Sequence, residues 1–398
     1  MSKIIKLLVL VIFLPSVLIA GVAAPGPVKL TQSDGTVFWA EAKGNEYVHW
    51  METLNGYTII LYKSDWYYAQ QDEDGRLVPT DLKVVGQSAN VGEEEPVDLN
   101  LPPGIMKHLR PPVDRSLFEK HTPRKLRKPT KKTSKSNVQI QAILADQSSI
   151  YQPLLVLAVS FSDRIMETSA SAITAQFFGA TESVKEFFLD NSYNNFVVTA
   201  AAESQGVADD GVISVSLAYS HPDFGNEYSD PARLEIVADA LNAADSAIDF
   251  SSYDSDENGD ISAAELGVVL IVAGYEKATG GDGASHPNVW AHQGSMQPGV
   301  TLDGVRLSSY AMLGEIQYDH PATIGVMVHE LSHLVLGLPD LYDRDGSSAG
   351  IGKWGLMAQG CWNFVSLLGD SPAALSAWSK EQVGFLFPLD ITTVISRL

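Results

Sequence analysis

Two histidines one helical turn apart are the feature that most restricts what this chain can fold into. Residues 329–333 have the pattern H-E-x-x-H, and apolar residues recur at spacings of three and four between positions 323 and 336. This spacing predicts a helix that is largely buried. Side chains four residues apart share one helical face, so both imidazoles can bind one ion. Since buried polar groups need partners, the pattern favours a metal site over two unrelated histidines on a surface helix.

The same pattern predicts a chemistry. Zn²⁺ lowers the pKa of a bound water to about 7, which provides a nucleophile at neutral pH. Glu330 lies beside the two histidines and can accept the proton of that water. We therefore predict His329 and His333 as zinc ligands, Glu330 as the general base, and hydrolysis of amide bonds as the reaction.

The residues that follow the helix fit a zinc site as well. Gly337 can end the helix, and Pro339 prevents it from continuing. The chain then turns and can present Asp340 as a third protein ligand. Farther along, Met357 lies in a glycine-flanked turn, like the Met-turn beneath some zinc sites.

Three segments between residues 329 and 378 have the sequences H-E-L-S-H-x3-G-L-P-D-L-Y-D, G-I-G-K-W-G-L-M and P-A-A-L-S-A-W. They resemble the immune inhibitor A family of secreted bacterial zinc metalloendopeptidases. The likeness extends to the family's catalytic domain at 154–163, 177–179 and 187–193, and to its propeptide at 33–36 and 47–50. The resemblance implies zinc ligands His329, His333 and Asp340, with Glu330 as the general base.

The third ligand stays open at this point. Gly337 and Asp340 each lie one residue farther along than in the usual metzincin-like spacing, and one extra residue rotates a helical position by about 100°. An irregular turn at Gly337 can absorb this difference. Asp343 is the nearest alternative ligand. Glu381, on a helix predicted around 374–382, is the other, although a solvated helix residue is its simpler interpretation.

Three more residues near the predicted site have open roles. Residues 289–292 resemble a family stretch near the active site, so His292 is a candidate to stabilise an oxyanion, and a packed or exposed histidine is the alternative. The same alternatives apply to Tyr342. The single cysteine, Cys361, excludes an intramolecular disulfide and is expected to be a small buried residue.

The first 24 residues have the features of a signal peptide. Lys3 and Lys6 precede an apolar run at 7–19, and small residues follow at 22–24. The apolar run is short for a membrane span, so removal of this leader is favoured over an uncleaved anchor. We therefore predict a secreted, extracellular protein with no stable membrane insertion after cleavage.

Charge divides the remaining chain. Residues 107–135 contain 11 Lys and Arg against Asp114 and Glu119, which is typical of an exposed linker. Nucleic-acid binding is one interpretation of such a run, but a cleavage site for an activating protease fits its position better. From residue 138 onward, 9 Lys and Arg stand against 33 Asp and Glu, a net charge of −24. This disfavours nucleic acids and anionic membranes, and the expected partners are protein or peptide substrates.

A second metal motif lies at residues 254–265, which match D-x-[DN]-x-[DN]-G-x5-E at every defined position. Ca²⁺ prefers six to eight oxygen ligands. The predicted calcium ligands are Asp254, Asp256, Asn258, the carbonyl of Asp260, Ser262 through water, and Glu265. An acidic surface turn is the alternative. Residues 343–347 are a weaker calcium candidate, for which an ordinary turn is equally suitable.

The predicted fold class is α+β or α/β. Residues 25–106 are predicted to form a small β-rich propeptide module with strands at 57–62 and 66–69, and residues 107–137 a basic linker. Residues 138–398 are predicted to form a metzincin-like zincin domain with a mixed twisted sheet and the active-site helix, including a helix at 233–246 and a buried strand at 266–273. A substrate strand can add to the edge of such a sheet.

The sequence therefore predicts a secreted zinc metalloendopeptidase that is stabilised by calcium and made as a proenzyme. Two other classes remain. One is a secreted binding protein or adhesin on an inactive protease fold, although structural zinc sites usually fill all four positions with protein ligands. The other is a calcium-dependent interaction module in which the histidines are incidental.

Overall fold

The computed structural model describes residues 18–20, 22–45, 48–85, 105–112, 123–124, 126, 149–223, 232–279, 286–345 and 347–387. Most of the predicted signal peptide and most of the predicted linker lie outside the described residues. Within the described ranges, no helix has both the length and the apolar character that a bilayer span requires.

The strands are β1 Leu18–Ala20, β2 Pro27–Thr31, β3 Val37–Gly44, β4 His49–Thr53, β5 Thr58–Tyr62, β6 Asp65–Gln71, β7 Leu77–Lys83, β8 Ile150–Ser160, β9 Phe196–Ala200, β10 Val212–Ser216, β11 Asp260–Ile261, β12 Gly267–Glu276, β13 Asn288–Val289, β14 His292–Leu302, β15 Val305–Gln317 and β16 His320–Pro321. The helices are α1 Ala170–Phe178, α2 Val184–Asn191, α3 Ala232–Ala244, α4 Ile324–Leu336 and α5 Ala377–Val383.

An antiparallel sheet of six strands, β2 to β7 in sequence order, forms the amino-terminal module. Buried and more exposed side chains alternate along β2 and the start of β3, because one face of the sheet covers a small core around Leu30, Phe38 and Tyr68. The chain continues to pack on this sheet beyond position 106. Lys107 bridges to Tyr57, and Leu109 is buried. The described start of the predicted linker is therefore packed on the sheet and is not an exposed tether.

The larger sheet is mixed, as predicted, and its main path is β1-β14-β15-β12-β8-β10. Strands β15, β12, β8 and β10 are parallel, whereas β14 runs antiparallel to β15 near one edge. Strands β8 and β12 are almost wholly apolar because both of their faces are covered. One face packs against α1, α2 and α4, and the other packs against α3.

Helix α4 begins and ends where the sequence predicts. Twelve of its residues are buried, because the helix lies across the sheet inside the core. Gly337 adopts a left-handed conformation with φ 63° and donates its amide to the carbonyls of His333 and Ser332. This is the glycine helix ending that the sequence predicts. The last helix, α5, begins three residues later than predicted, because the Ser376 hydroxyl caps it by accepting from the Ser379 amide.

The amino-terminal residues lie against the larger sheet. Strand β1 pairs antiparallel with β14, and Ala20 stands opposite His292. The Trp362 indole donates to the carbonyl of Val22 over 2.9 Å. The Ala24 amide donates to the carbonyl of Ala278 over 2.7 Å. The end of the predicted signal peptide is thus in contact with the predicted catalytic domain.

Candidate metal centre

Both histidines of α4 point to one place in the core. Their side chains are fully buried, and the Nε2 atoms of His329 and His333 are 3.1 Å apart. The ring planes stand at 84° to each other with centroids 4.8 Å apart. This follows from their spacing, since residues four apart lie on the same helical face.

Backbone carbonyls fix the direction of each ring. The Nδ1 of His329 lies 2.9 Å from the Leu356 carbonyl oxygen, and the Nδ1 of His333 lies 2.6 Å from that of Leu338. A carbonyl oxygen only accepts, so each Nδ1 carries a hydrogen and each Nε2 is the ring atom left to bind a cation. Such second contacts are characteristic of histidines that bind metals. The Met-turn region thus supports the site through the carbonyl of Leu356, the residue before Met357, while Met357 itself is buried behind it.

Asp340 is the carboxylate that meets the two rings. Its Oδ1 lies 3.3 Å from His329 Nε2 and 3.0 Å from His333 Nε2. The left-handed turn at Gly337 absorbs the extra residue in the spacing, and the Leu341 amide, bound to the Met357 carbonyl over 2.6 Å, anchors the chain just after Asp340.

The other carboxylates considered from the sequence do not belong to this cluster of His329, His333 and Asp340. Asp343 accepts a hydrogen bond from the Ser347 hydroxyl. Glu381 is exposed on α5, as its simpler interpretation requires. Among the candidate carboxylates in the described residues, Asp340 is therefore the one that lies with the two imidazoles.

The three atoms fit a zinc ion. Zn²⁺ binds nitrogen and oxygen ligands at about 2.0–2.1 Å in a tetrahedron, which places neighbouring ligand atoms about 3.3 Å apart. The separations here are 3.1, 3.3 and 3.0 Å. Three protein ligands leave one tetrahedral position open, which is the arrangement of catalytic and not of structural zinc sites.

The charges of the ligands also suit a cation. Burial by itself would raise the pKa of Asp340, but His333 and His329 together hold that pKa below its usual range. Burial lowers the pKa of His333. The pKa of His329 lies well above its usual value despite burial, because the ring is hydrogen-bonded to Asp340. A buried carboxylate thus holds a proton on one of two imidazoles, and a bound cation replaces that proton.

Glu330 is buried next to this cluster. Neither of its carboxylate oxygens accepts a hydrogen bond of good geometry from a described residue. The nearby Gln293 backbone N–H acts to lower the pKa of Glu330. Burial raises the pKa of Glu330 well above its usual range; His329 opposes this shift, and Asp340 and Glu276 add to it. Burying a carboxylate without hydrogen-bond partners costs stability. Such groups are found at functional sites, where a shifted pKa serves proton transfer. Proton transfer beside a metal ion is a role that fits Glu330.

Glu276 is a residue that the sequence analysis missed. Its fully buried carboxylate accepts backbone N–H groups from Ala278 (3.0 Å), Ala291 (2.9 Å) and Gly314 (2.9 Å). These amides lie at or near the ends of β12, β14 and β15. Burial raises the pKa of Glu276 to about 7, and the three amides oppose that shift. The only signal in the sequence is one glutamate at the end of an apolar strand.

The remaining candidates near the site are packed side chains. His292 is buried, with Nδ1 2.7 Å from the Trp290 carbonyl oxygen and Nε2 3.3 Å from the Tyr310 hydroxyl. This agrees with the packed alternative for His292 and not with an oxyanion role. Tyr342 and Cys361 are also buried, as expected for a packed tyrosine and a small apolar cysteine. The Cys361 thiol additionally interacts with the His329 ring.

The acidic loop at 254–265 brings together three of its predicted ligands. Carboxylate oxygens of Asp254, Asp256 and Glu265 lie within 4.8 Å of one another. Each Glu265 oxygen accepts from a serine, Ser255 or Ser262. Loop residues fold inward around Asp254 as well, and Gly259 donates to it from a left-handed conformation with φ 82°. The loop therefore surrounds a group of carboxylate oxygens.

Asp260 and Asn258, two of the three remaining predicted ligands, have protein partners. The Asp260 side chain pairs with Arg306, which leaves the predicted role to its backbone carbonyl. The Asn258 side-chain oxygen accepts from the Asp260 amide. In the weaker candidate loop, the Asp345 and Ser347 amides donate to Asp343 and Asp345, respectively.

Comparison with known proteins gives one family. The model described as immune inhibitor A peptidase M6, catalytic domain, matches residues 155–385. No curated protein matches the chain. The matched range contains the clustered His329, His333 and Asp340, the buried Glu330 and the acidic loop.

Proposed function

Since this chain belongs to the immune inhibitor A peptidase M6 family and is therefore a metallopeptidase, we propose that it is a secreted zinc endopeptidase made as a proenzyme. The convergence of His329, His333 and Asp340 at zinc-like separations carries this proposal. The zincin class of the larger domain belongs to the same proposal, supported by the mixed sheet with α4 across it.

Each residue of the site has a defined task in this proposal. His329, His333 and Asp340 would hold a Zn²⁺ ion, which polarises the scissile carbonyl and lowers the pKa of water when it is bound. Glu330 accepts a proton from the attacking water and passes it to the leaving amine. Burial of its carboxylate keeps other proton donors away, so the proton is transferred between the reacting groups.

The substrate is an extended segment of a protein or peptide. Strand β14 borders the site, and its residues His292 to Gly294 already pair with an extended segment, β1. An extended substrate adds to this edge in the same manner, through backbone hydrogen bonds that tolerate many side chains.

The proenzyme proposal is supported by contacts of the amino-terminal module. The Asn45 side chain donates to the Arg344 carbonyl over 3.0 Å, four residues after Asp340. The His49 ring packs on Trp290 with centroids 4.7 Å apart. The module therefore lies beside the segment that follows Asp340 and the start of β14, where it would restrict access to the proposed site. An activating protease would cut within residues 107–137, and the leader would be removed earlier, on secretion.

Calcium stabilisation is the second metal proposal. The clustered oxygens of Asp254, Asp256 and Glu265 support it, and hard carboxylate oxygens are the ligands that Ca²⁺ prefers. The loop lies between α3 and β12, so an ion there would clamp two elements of the larger domain. Metal analysis of the purified protein tests this proposal directly, with calcium and zinc each expected at one equivalent.

The central test of function uses Glu330→Gln. After activation, the unaltered protein is expected to cleave casein, and a zinc chelator is expected to stop it. The variant is expected to keep its zinc and to lose about 10²–10⁴-fold or more in turnover, the usual contribution of a general base. Glu381→Gln, which alters an exposed glutamate on α5, is the matched control and should cleave normally.

Two results would reject this function. Near-normal cleavage by Glu330→Gln would remove the glutamate from the mechanism. Zinc-loaded, activated protein that cleaves no protein substrate would favour the binding-protein class, whereas calcium without zinc would favour the calcium-dependent interaction module.

A further inference from the structure

We propose that the larger domain has a docking site for the chain's own linker at the carboxyl end of α4, and that this site holds the amino-terminal module in place after the linker is cut. The proposal rests on the proposed proenzyme. It concerns a surface separate from the metal centre, and its occupant is the linker around Arg124 and Leu126.

Arg124 donates hydrogen bonds to the last carbonyls of α4. Its backbone amide donates to the Leu336 carbonyl over 2.8 Å, and its Nη1 donates to the Val335 carbonyl over 3.1 Å. The last carbonyls of any helix lack partners within the helix, and the helix dipole makes this end favourable for a cation. One residue of the linker thus supplies both the hydrogen bonds and the charge that the end of α4 needs.

The site is formed by several elements of the domain. The same Nη1 atom lies 3.3 Å from the side-chain oxygen of Gln152, which is fully buried in β8. The Gln152 amide in turn donates to the carbonyl of Ala263, in the acidic loop. Because the amide nitrogen of Gln152 is hydrogen-bonded within the domain, its side-chain oxygen points in a fixed direction. The acceptor for the Arg124 guanidinium is therefore positioned by the larger domain itself.

Leu126 adds a second attachment. Its backbone amide donates to the Val383 carbonyl at the end of α5 over 3.1 Å, and its side chain packs against the main core. The linker therefore lies across the carboxyl ends of α4 and α5, with a basic and an apolar side chain in turn. This sequence of contacts gives the site its preference for a basic residue followed two positions later by an apolar one.

The consequence concerns what happens after activation. A cut downstream of Leu126 separates the chains but leaves Arg124 attached to the module that contacts Arg344 and Trp290. Activation then has two steps, cleavage of the linker and dissociation of the module. Arg124 slows the second step, because leaving requires the loss of charge-assisted hydrogen bonds at a partly buried position.

The experiment uses the full chain in a Glu330→Gln background, so that the protein cannot process itself. A recognition sequence for a site-specific protease replaces residues 138–144, and the cut protein is followed by size-exclusion chromatography after dilution. Arg124→Ala is compared with Arg124→Lys and with Arg76→Ala. Arg76 is the matched control, because it is exposed in the turn after β6 and pairs only locally, with Asp74.

The module is expected to leave the cut Arg124→Ala protein about tenfold faster or more than the parent, as loss of such bonds implies. Arg124→Lys should fall between them, and Arg76→Ala should match the parent. Equal release from Arg124→Ala and Arg76→Ala would overturn the proposal. Because release is measured without catalysis, this result is independent of the casein test, whose failure would instead reject the proposed protease function.

Discussion

A single carboxylate joins three strand ends beside the metal centre. Glu276 accepts the amides of Ala278 just after β12, Ala291 just before β14 and Gly314 within β15, and burial raises its pKa to about 7. In the unfolded chain the same group has a pKa of 4.5. The folded protein therefore binds a proton at Glu276 more tightly than the unfolded chain does, and this contribution to stability is complete below about pH 4.5 and is lost as the pH rises through 7.

Glu276→Gln is expected to remove this pH dependence. The substitution itself also lowers the free energy of unfolding, because the side-chain NH2 group of the glutamine faces a backbone N–H that needs an acceptor. The stability difference between parent and variant should be largest below about pH 4.5 and should shrink by on the order of 3 kcal/mol toward pH 8. Urea denaturation of metal-free protein in a Glu330→Gln background measures it, since that background removes a coupled carboxylate.

The exposed Glu257→Gln variant is the control for this experiment and should follow the parent at every pH. A constant stability difference between parent and Glu276→Gln from acid to alkaline pH would contradict the assigned role of Glu276 burial.

At the scale of single residues, the sequence predicted those features of the site that depend on the spacing of neighbouring residues. The face shared by His329 and His333 follows from helix geometry alone. Asp340 was predicted only with alternatives, because its direction depends on a turn whose φ angle the sequence does not specify. Glu276 was missed altogether, since its three amide partners come from parts of the chain up to 38 positions away.

Among the elements, the ending of α4 connects fold and site. Gly337 turns the chain in the left-handed region, so that Asp340 returns to the face carrying the histidines. An L side chain in this region costs about 1–2 kcal/mol. Gly384 ends α5 in the same way, with φ 83°, but no residue of the proposed metal site follows it.

Gly337→Ala and Gly384→Ala form a matched pair for this reason. Both are expected to lower the free energy of unfolding by about 1–2 kcal/mol. Only Gly337→Ala is expected to weaken zinc binding, because relief of its strain moves Asp340. Denaturant unfolding of metal-free protein and competition titration with a zinc chelator measure the two effects. Equal zinc affinity in the two variants would show that the turn has no part in positioning the ligand.

Periodicity predicted the elements themselves well. The apolar run predicted as a strand at 266–273 became β12, and the three-and-four spacing became α4. Burial of both faces of a strand, or of one stripe of a helix, leaves a pattern in the local sequence. Boundaries at α5 and at the described start of the linker were less accurate. Capping by Ser376 and the packing of Leu109 on the six-stranded sheet depend on side-chain contacts that hydrophobic spacing does not encode.

In the whole molecule, the two sheets are joined by contacts that sequence analysis could not foresee. Asn45 bonds to a residue 299 positions away, Trp362 to one 340 positions away, and Arg124 to one 211 positions away. Such pairs depend on how complete domains meet. The attachment of the six-stranded sheet to the larger sheet was found only in three dimensions.

His49 makes this attachment sensitive to pH. Its ring packs on Trp290, and burial, followed by the nearby Lys277, lowers its pKa from 6.5 to about 4. The docked state thus prefers the neutral ring, whereas a released module regains a pKa near 6.5. As the pH falls from 7 to 5, the released state takes up a proton that the docked state resists, so attachment should weaken by about tenfold or more.

The linker-cut Glu330→Gln protein, assayed by size-exclusion chromatography at about pH 7 and pH 5, tests this expectation. His49→Phe keeps a ring against Trp290 but has no titrating group, so its release rate should change little between the two conditions. His108→Gln, which alters an exposed histidine of the same module, should retain the acceleration at acid pH. A His49→Phe protein that still releases its module faster in acid would assign the pH sensitivity to other groups, because the ring contact would be intact and only the proton would be missing.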